Sequence, residues 1–573
     1  MSLPPLANLF ATYDPAPDAL AALETDLRAS GEFHRVSRPA PGWVLATSPL
    51  PGGASTATTP ADGVVEFVEG QEQMGDRLHQ LCDLADQTPE RLARFPGDFA
   101  FFRFRSDGGA TVVRSCGGLA PIYLTRSRER ITLANRLGDI VRYAPEEPRI
   151  DPLPNAIWAS GWPVFPEDRT FLAKVSALPR GTFADVGSGG RMRIGRYWDP
   201  RPTRLERPTP ARVHEHAERL RSLLVAALER DLDPAGCNLL TLSGGVDSSS
   251  LAALAAGAAH RGFSTWSLLP GPEELYRQQM AYIEPLVRRF GIPRTWIVRL
   301  ERDTRLDLLR AAPQVVFHVP HPALCALPQV LAEADVRVLF GGEFADEVCG
   351  SLFTIPDWAQ STTLAQLVTG VHRLPTGRRD ILRWAKHRLL SAARRPTVPF
   401  PRDLPDLVHP DVRREYRAWA AARRHAAGRE PQPHRHMALR AEMDGFVAMN
   451  WEVGSALGVR RAFPFFNREV LELAFECHPS ELVGPGTKKL LRAALARDVP
   501  HENLFRPDKG HWGNHLVGAR FEIPGPLPEG LEAVVRPDWY PMPPPVDSSA
   551  ACGLTVMARF ATSLLARRRT RLR

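Results

Sequence analysis

Thr241-Leu-Ser-Gly-Gly-Val-Asp-Ser-Ser-Ser250 follows the apolar Asn238-Leu-Leu240 and runs into Leu251-Ala-Ala-Leu-Ala-Ala-Gly257. That order predicts a buried strand, a glycine turn and the start of a helix. Gly244 and Gly245 permit a tight turn and bring backbone N–H groups close to an anion. Ser243, Ser248 and Ser249 add hydroxyl donors at a helix N-terminus that already favours negative charge. Asp247 falls where a divalent cation on phosphate groups needs an oxygen ligand. Composition alone would make a serine–glycine run a flexible linker, but linkers are not bracketed by an aliphatic strand and an alanine-rich helix. The run lacks the Gly-Lys-Ser/Thr ending of a Walker loop, which argues against ordinary γ-phosphate chemistry.

Working outward, strands are expected at Asn238 to Leu242, Ser264 to Leu269, Trp296 to Leu300 and Val336 to Phe340, with helical segments between them. This alternation predicts an α/β fold, a parallel sheet with helices on both faces that binds ligands beyond the carboxyl ends of its strands. A long helix is expected from Arg212 to Leu232, and after about residue 360 the chain reads as mainly helical and Arg-rich. The first 198 residues differ in kind. Short alternating segments, Val64-Val-Glu-Phe-Val68, Phe99-Ala-Phe-Phe-Arg-Phe104, Ala110-Thr-Val-Val-Arg114 and Ile131-Thr-Leu-Ala134, lie between Gly, Pro and Asp turns and predict a layered β domain. The run DPRPTRLERPT from Asp199 to Thr209 sustains neither helix nor sheet and suits a linker. The expected organisation is therefore 1–198, a linker at 199–211, a second domain at 212–535 and a Pro- and Arg-rich segment at 536–573.

At 573 residues, 44% hydrophobic and 24% charged, the chain has the composition of a globular protein with a large core. No window approaches a membrane span and the start MSLPPLANLF lacks a basic signal region, so a cytoplasmic enzyme is expected. Cys82, Cys116, Cys237, Cys325, Cys349, Cys477 and Cys552 stand singly without a CxxC, suggesting neither disulfide framework nor zinc cluster. The net charge of +8 comes from Arg spread along the chain. Its one dense run, Arg567 to Arg573, reads as a solvated tail, and no nucleic-acid motif accompanies it.

A second motif, Phe340-Gly-Gly-Glu-Phe-Ala-Asp-Glu-Val-Cys-Gly350, ends the fourth expected strand. Together with SGGVDSSS it resembles the asparagine synthetase superfamily of N-type ATP pyrophosphatases, which cleave ATP between the α and β phosphates and carry a GEGxDE-type loop at this place. The resemblance implies ATP and Mg2+ as cofactors. It implies that Asp346 joins Asp247 on the metal, that Glu343 lies near the adenylated substrate, and that Leu268 and Gly342 belong with Ser243, Gly244, Gly245, Asp247, Ser248 and Ser249 in the ATP site. Either glutamate could instead be a helix N-terminal neighbour stabilised by the helix dipole, the reading preferred for Glu347.

Further along, Gly484-Pro-Gly-Thr-Lys-Lys-Leu-Leu-Arg492 is similar to the family's KxxLR segment, and Arg506-Pro-Asp-Lys-Gly510 to its later lysine. By this resemblance Lys488 and Lys509 neutralise charge on the leaving pyrophosphate and the adenylate, with Lys489 a rival for Lys488. Arg94-Phe-Pro-Gly-Asp-Phe-Ala-Phe101, Pro121-Ile-Tyr123, Val175-Ser-Ala-Leu-Pro-Arg-Gly181 and Tyr197-Trp198 resemble the family's glutaminase domain, an Ntn-type β-sandwich. That domain uses a cysteine exposed at its N-terminus, and position 2 here is Ser2, so a degenerate, inactive glutaminase-like domain is expected. Where the family usually reads R-x-P-F-L-D this chain reads Ala462-Phe-Pro-Phe-Phe-Asn467, and the acidic pair expected before Tyr282 reads Gln278-Gln279. Both changes fall on the acyl side of the pocket and weigh against aspartate as substrate.

Superfamily members without glutaminase activity include β-lactam and carbapenam synthetases and lasso peptide cyclases, all ring-closing amide ligases. The chain looks most similar to the cyclases. The expected reaction is adenylation of an Asp or Glu side-chain carboxylate in a leader-free precursor peptide, then attack by that peptide's N-terminal amine to close a macrolactam, with release of AMP and pyrophosphate. A leader peptidase and a leader-binding protein are the further partners this implies. The alternatives are a small-molecule amide or β-lactam synthetase, an ammonia-dependent asparagine synthetase-like enzyme, and a non-catalytic protein that keeps the fold. Joint presence of Asp247, Asp346, Lys488 and Lys509 argues against the last.

Overall fold

The computed structural model describes residues 8–48, 55–58, 64–68, 89–95, 99–118, 120–145, 149–159, 168–201, 208–258, 262–300, 322–351, 408–427, 444–483 and 487–506, with a few isolated positions besides. Ser2, Lys509 and the segment 536–573 lie outside the described residues.

The N-terminal strands are β1 (Asn8–Tyr13), β2 (Arg35–Ser37), β3 (Trp43–Ser48), β4 (Ser55–Thr58), β5 (Val64–Val68), β6 (Phe99–Phe104), β7 (Ala110–Arg114), β8 (Tyr123–Ser127), β9 (Arg130–Ala134), β10 (Val175–Ala177), β11 (Thr182–Val186) and β12 (Met192–Arg196). They form two six-stranded sheets, ordered β10-β8-β9-β1-β3-β2 and β12-β11-β7-β6-β5-β4, and every pairing is antiparallel. Alternation on β1 shows how they pack. Leu9, Ala11 and Tyr13 join Trp43 and the second sheet's Phe101 and Phe104 in one core, while Phe10 turns to the helices α1 (Pro17–Ser30) and α2 (Leu137–Tyr143) through Leu20, Leu23, Leu27 and Ile140. Trp43 locks the inner layer edge-on to Phe104, ring centroids 5.2 Å apart, and its indole N–H donates to the Gly108 carbonyl at 2.9 Å.

The second half opens with α3 (Pro210–Asp231), which begins two residues before the expected Arg212. The cause is local: the Thr209 side chain caps the Arg212 N–H and Pro210 occupies the first turn, where its missing N–H costs nothing. Then follow β13 (Asn238–Thr241), α4 (Val246–Gly257), β14 (Ser264–Pro270), α5 (Glu273–Phe290), β15 (Thr295–Leu300), α6 (Pro322–Glu333), β16 (Val338–Phe340), α7 (Ala345–Cys349), α8 (Asp444–Leu457), β17 (Arg460–Ala462), α9 (Arg468–Glu476), α10 (Pro479–Leu482), α11 (Lys489–Ala494) and α12 (His501–Leu504). The five strands are parallel and ordered β15-β14-β13-β16-β17. Neighbouring residues feed opposite faces: Leu239 packs with Leu327 and Val330 of α6 and Val453 of α8, whereas Leu240 packs with Leu251 and Leu254 of α4 and Ile283 of α5. Helices thus cover both faces. Strand order reverses between β13 and β16, where a parallel sheet opens a crevice beyond its carboxyl ends. Among the described residues no helix is long and apolar enough to cross a membrane.

Candidate functional site

Both sequence motifs emerge at that crevice, SGGVDSSS from β13 and GGEFADE from β16. The first turn closes on itself. Ser248 Oγ accepts from the Ser243 N–H at 3.1 Å and lies 3.0 Å from Ser243 Oγ, while Gly244 takes the left-handed conformation at φ 71°. A Cβ at Gly244 would meet Tyr282 Cβ at 2.7 Å, so the loop lies flat against α5 and a side chain has no room. Asn503 of α12 donates to the carbonyls of both Gly244 (3.1 Å) and Tyr282 (2.9 Å), and Arg506 lies over the Tyr282 ring at 4.2 Å while donating to the Ser243 carbonyl at 3.3 Å. Ser249 is wholly buried under the turn, and Leu268 is buried in β14 in the core shared with α6. Gly342 brings the second loop onto the first: a Cβ there would stand 3.1 Å from Asp247 Cβ.

Charge converges at this contact. Lys488, only 2% exposed, bonds Asp247 Oδ2 and lies 2.8 Å from Asp346 Oδ1, so two carboxylates from two loops meet one cation. Burial works against the ammonium, but Asp247 and Asp346 together outweigh it and hold Lys488 above the ordinary lysine range. The neighbouring Lys489 turns away and donates to the Ser480 carbonyl at 3.1 Å. Burial, reinforced by the Asp346 charge, pushes the Glu347 carboxyl up to about 7. A pair of carboxylates already aimed at one positive charge is a donor set that fits a hard, oxygen-loving divalent cation, which Asp247 and Asp346 could hold.

Glu343 sits beside this cluster and is held by a residue that the motifs did not single out. Arg461, 3% exposed on β17, donates to Glu343 Oε1 and through its other terminal nitrogen to Asn450 Oδ1. The segment resembling R-x-P-F-L-D has Ala462 where arginine is usual, and Arg461 stands one residue earlier. Phe344, where the GEGxDE pattern has glycine, keeps a left-handed φ of 68°. Its ring stacks on Phe466 at 4.1 Å and meets Phe446 and Phe463 edge-on, each at 5.2 Å.

One other group of metal-ligating side chains occurs among the described residues, His216, Cys477 and Glu481. It joins α3 to the C-terminal helices. Glu481 Oε2 lies 2.7 Å from His216 Nδ1 and Oε1 accepts the His478 N–H at 2.8 Å, which is hydrogen-bond rather than metal-ligand spacing and leaves the carboxylate satisfied.

A family model described as asparagine synthase matches residues 219–535, more than half of the chain. The parallel-sheet half with its two facing loops is thus that of an asparagine synthase domain, and the chain belongs to this family. Membership supports an ATP-dependent amide-bond-forming ligase. No curated protein sequence matches the chain. Among solved structures, an allosteric regulatory enzyme of purine biosynthesis is 12% identical over 51% of this chain and 80% of its own, with a TM-score of 0.21. Glutamine phosphoribosylpyrophosphate amidotransferase from B. subtilis, complexed with ADP and GMP, is 12% identical over 51% and 81%, with a TM-score of 0.20. Likeness at that level has no bearing on the site.

Proposed function

We propose that the chain is an AMP-forming ligase that adenylates an Asp or Glu side-chain carboxylate of a leader-free peptide and closes a macrolactam with the peptide's N-terminal amine, as a lasso peptide cyclase does. The observation that carries this reading is the meeting of Asp247, Asp346 and Lys488 beside Glu343 at the strand-order reversal. In this reading the SGGVDSSS turn binds the ATP phosphates. Magnesium, held by Asp247 and Asp346, would neutralise phosphate charge. Lys488 and Lys509 stabilise the pyrophosphate as the carboxylate oxygen attacks the α-phosphorus and the α–β bond breaks.

Amide formation follows when the α-amine attacks the acyl-adenylate carbon and expels AMP. A free α-amine has a pKa of about 7.7–8.0, so an appreciable fraction, roughly a tenth to a sixth, is neutral at pH 7 and only modest base help from Glu343 is needed to take the proton released on attack. Holding both ends of one peptide makes the step intramolecular, and excluding water spares the adenylate. The altered segment Ala462–Asn467, with Phe463 and Phe466 over the loop, supports an acyl substrate other than aspartate.

In the same reading residues 1–198 are an inactive, Ntn-type glutaminase-like domain, 199–211 a linker, 212–535 the cyclase domain and 536–573 an appended segment, in a cytoplasmic enzyme served by a leader peptidase and a leader-binding protein.

The test is incubation with Mg-ATP and a panel of a leader-cleaved peptide, a carboxyethyl-amino acid, and aspartate with ammonia, reading AMP and loss of one water by mass. A peptide that loses water and gains protease resistance supports the cyclase. Turnover of either small substrate instead replaces it with the corresponding synthetase.

A further inference from the structure

Resting on the reading of Glu343 as the group beside the adenylate, we propose that Arg180 of the N-terminal half is a positioning residue for Glu343, acting through Asp444, Phe466 and Phe344. A phenylalanine at φ 68° is disfavoured by its own Cβ and persists only where its surroundings hold it. Phe344 directly follows Glu343, so whatever holds Phe344 sets the direction in which Glu343 leaves the backbone.

The surroundings lead out of the parallel-sheet half. Phe344 occupies one face of the Phe466 ring, stacked at 4.1 Å with an interplanar angle of 24°. The Arg180 guanidinium lies over the same ring at 4.8 Å, which leaves it the opposite face. Arg180 is 3% exposed on its side chain, and its Nε donates to Asp444 Oδ1 at 2.7 Å. Arg114 of β7 approaches the other Asp444 oxygen at 3.5 Å and is itself fixed by the carbonyls of Gly118 and Leu178, each at 2.7 Å. Asp444 opens α8, the helix that also brings Phe446 to the Phe344 ring and Asn450 to Arg461. Arg461 in turn lies over Phe463 at 4.7 Å and bonds the Glu343 carboxylate.

Glu343 is therefore held twice, through its backbone neighbour Phe344 and through its carboxylate by Arg461. Both lines run to α8, whose first residue is anchored by two arginines of the N-terminal half, Arg114 on β7 and Arg180 in the turn between β10 and β11. The N-terminal half, on this account, is retained as the mount of the catalytic loop.

The test uses two variants of the full chain. Arg180→Lys keeps a charge for Asp444 but removes the planar group over Phe466, and Phe466→Leu keeps the Arg180–Asp444 pair while removing the stack. Hydrogen–deuterium exchange is expected to rise by about tenfold across 340–350 in both variants, while 246–257 and 99–114 change by less than about twofold. Where the wild type forms an amide, kcat should fall by about tenfold with KM for ATP unchanged, and the loss should vanish in a Glu343→Gln background. Unchanged exchange at 340–350, an equal rise along the whole chain, or losses that multiply with Glu343→Gln would each overturn the proposal. A wild type that turns over none of the panel removes the proposed substrates alone, and the exchange measurement still decides whether Arg180 holds the loop.

Discussion

Gly244 and Phe344 occupy matching places, one on each loop beyond adjacent parallel strands, and both are left-handed, at φ 71° and 68°. Glycine meets that conformation without cost, and the absent Cβ also lets the loop lie against Tyr282. Phenylalanine meets it at a cost of about 1–2 kcal/mol, offset by a ring packed among Phe446, Phe463 and Phe466. The SGGVDSSS loop is shaped mainly by its own residues. The GGEFADE loop is shaped by what surrounds it, and in the proposed reaction it is the side that faces the acyl substrate.

Removing a charge at the meeting of the two loops should do the most damage. Asp247→Ala removes one of the two carboxylates on Lys488 and is expected to lower ATP-dependent pyrophosphate release by about 100-fold or more. Release at the wild-type rate would remove Asp247 from the site. Next comes Gly244→Ala, which combines left-handed strain with a Cβ placed 2.7 Å from Tyr282 Cβ, and should cost about 3 kcal/mol in denaturant unfolding along with ATP-dependent turnover. A stable, active Gly244→Ala would show that the first loop is not locally determined.

At the second loop two variants separate strain from packing. Phe344→Ala should cost about 3–5 kcal/mol because it empties a packed site and keeps the strain. Phe344→Gly should be the more stable of the two by about 1 kcal/mol, reversing the usual order of glycine and alanine. If alanine is the more stable, the left-handed geometry at 344 is not what the chain adopts.

The same contrast explains what the amino-acid sequence disclosed. Val64–Val68, Phe99–Phe104 and Ala110–Arg114 were legible as strands from their β-branched and aromatic residues between turn residues, and all three are strands. Trp43–Ser48 was harder because helices cover the outer face of its sheet. Trp43, Val44, Leu45 and Ala46 are all buried, which erases the two-residue period. Arg460–Ala462 carries two arginines in a buried strand, intelligible only once Asp231 and Glu343 are seen to take their charge. At the site, Asp247, Asp346 and Glu343 came from motifs. Arg180, Phe344, Phe463 and Phe466 lay inside the quoted segments without a role and Arg461 just outside one, because the partners that give them a role lie far along the chain.

The smallest expected effect bears on how local the first loop really is. Asn503, 2% exposed, uses one amide nitrogen to bond the carbonyls of Gly244 and Tyr282, so even this loop has a remote support. Asn503→Ala leaves those two carbonyls short of a donor in a buried setting, at a cost of about 1–2 kcal/mol measured by denaturant unfolding. Because Gly244 needs no holding against strain, the turn should keep its shape and KM for ATP should rise by less than about tenfold. A stability loss larger than that of Phe344→Ala would reverse the ranking: the glycine turn would then depend on distant contacts more than the strained phenylalanine does, and the difference between the loops would lie in how each is supported rather than in which residue occupies the left-handed position.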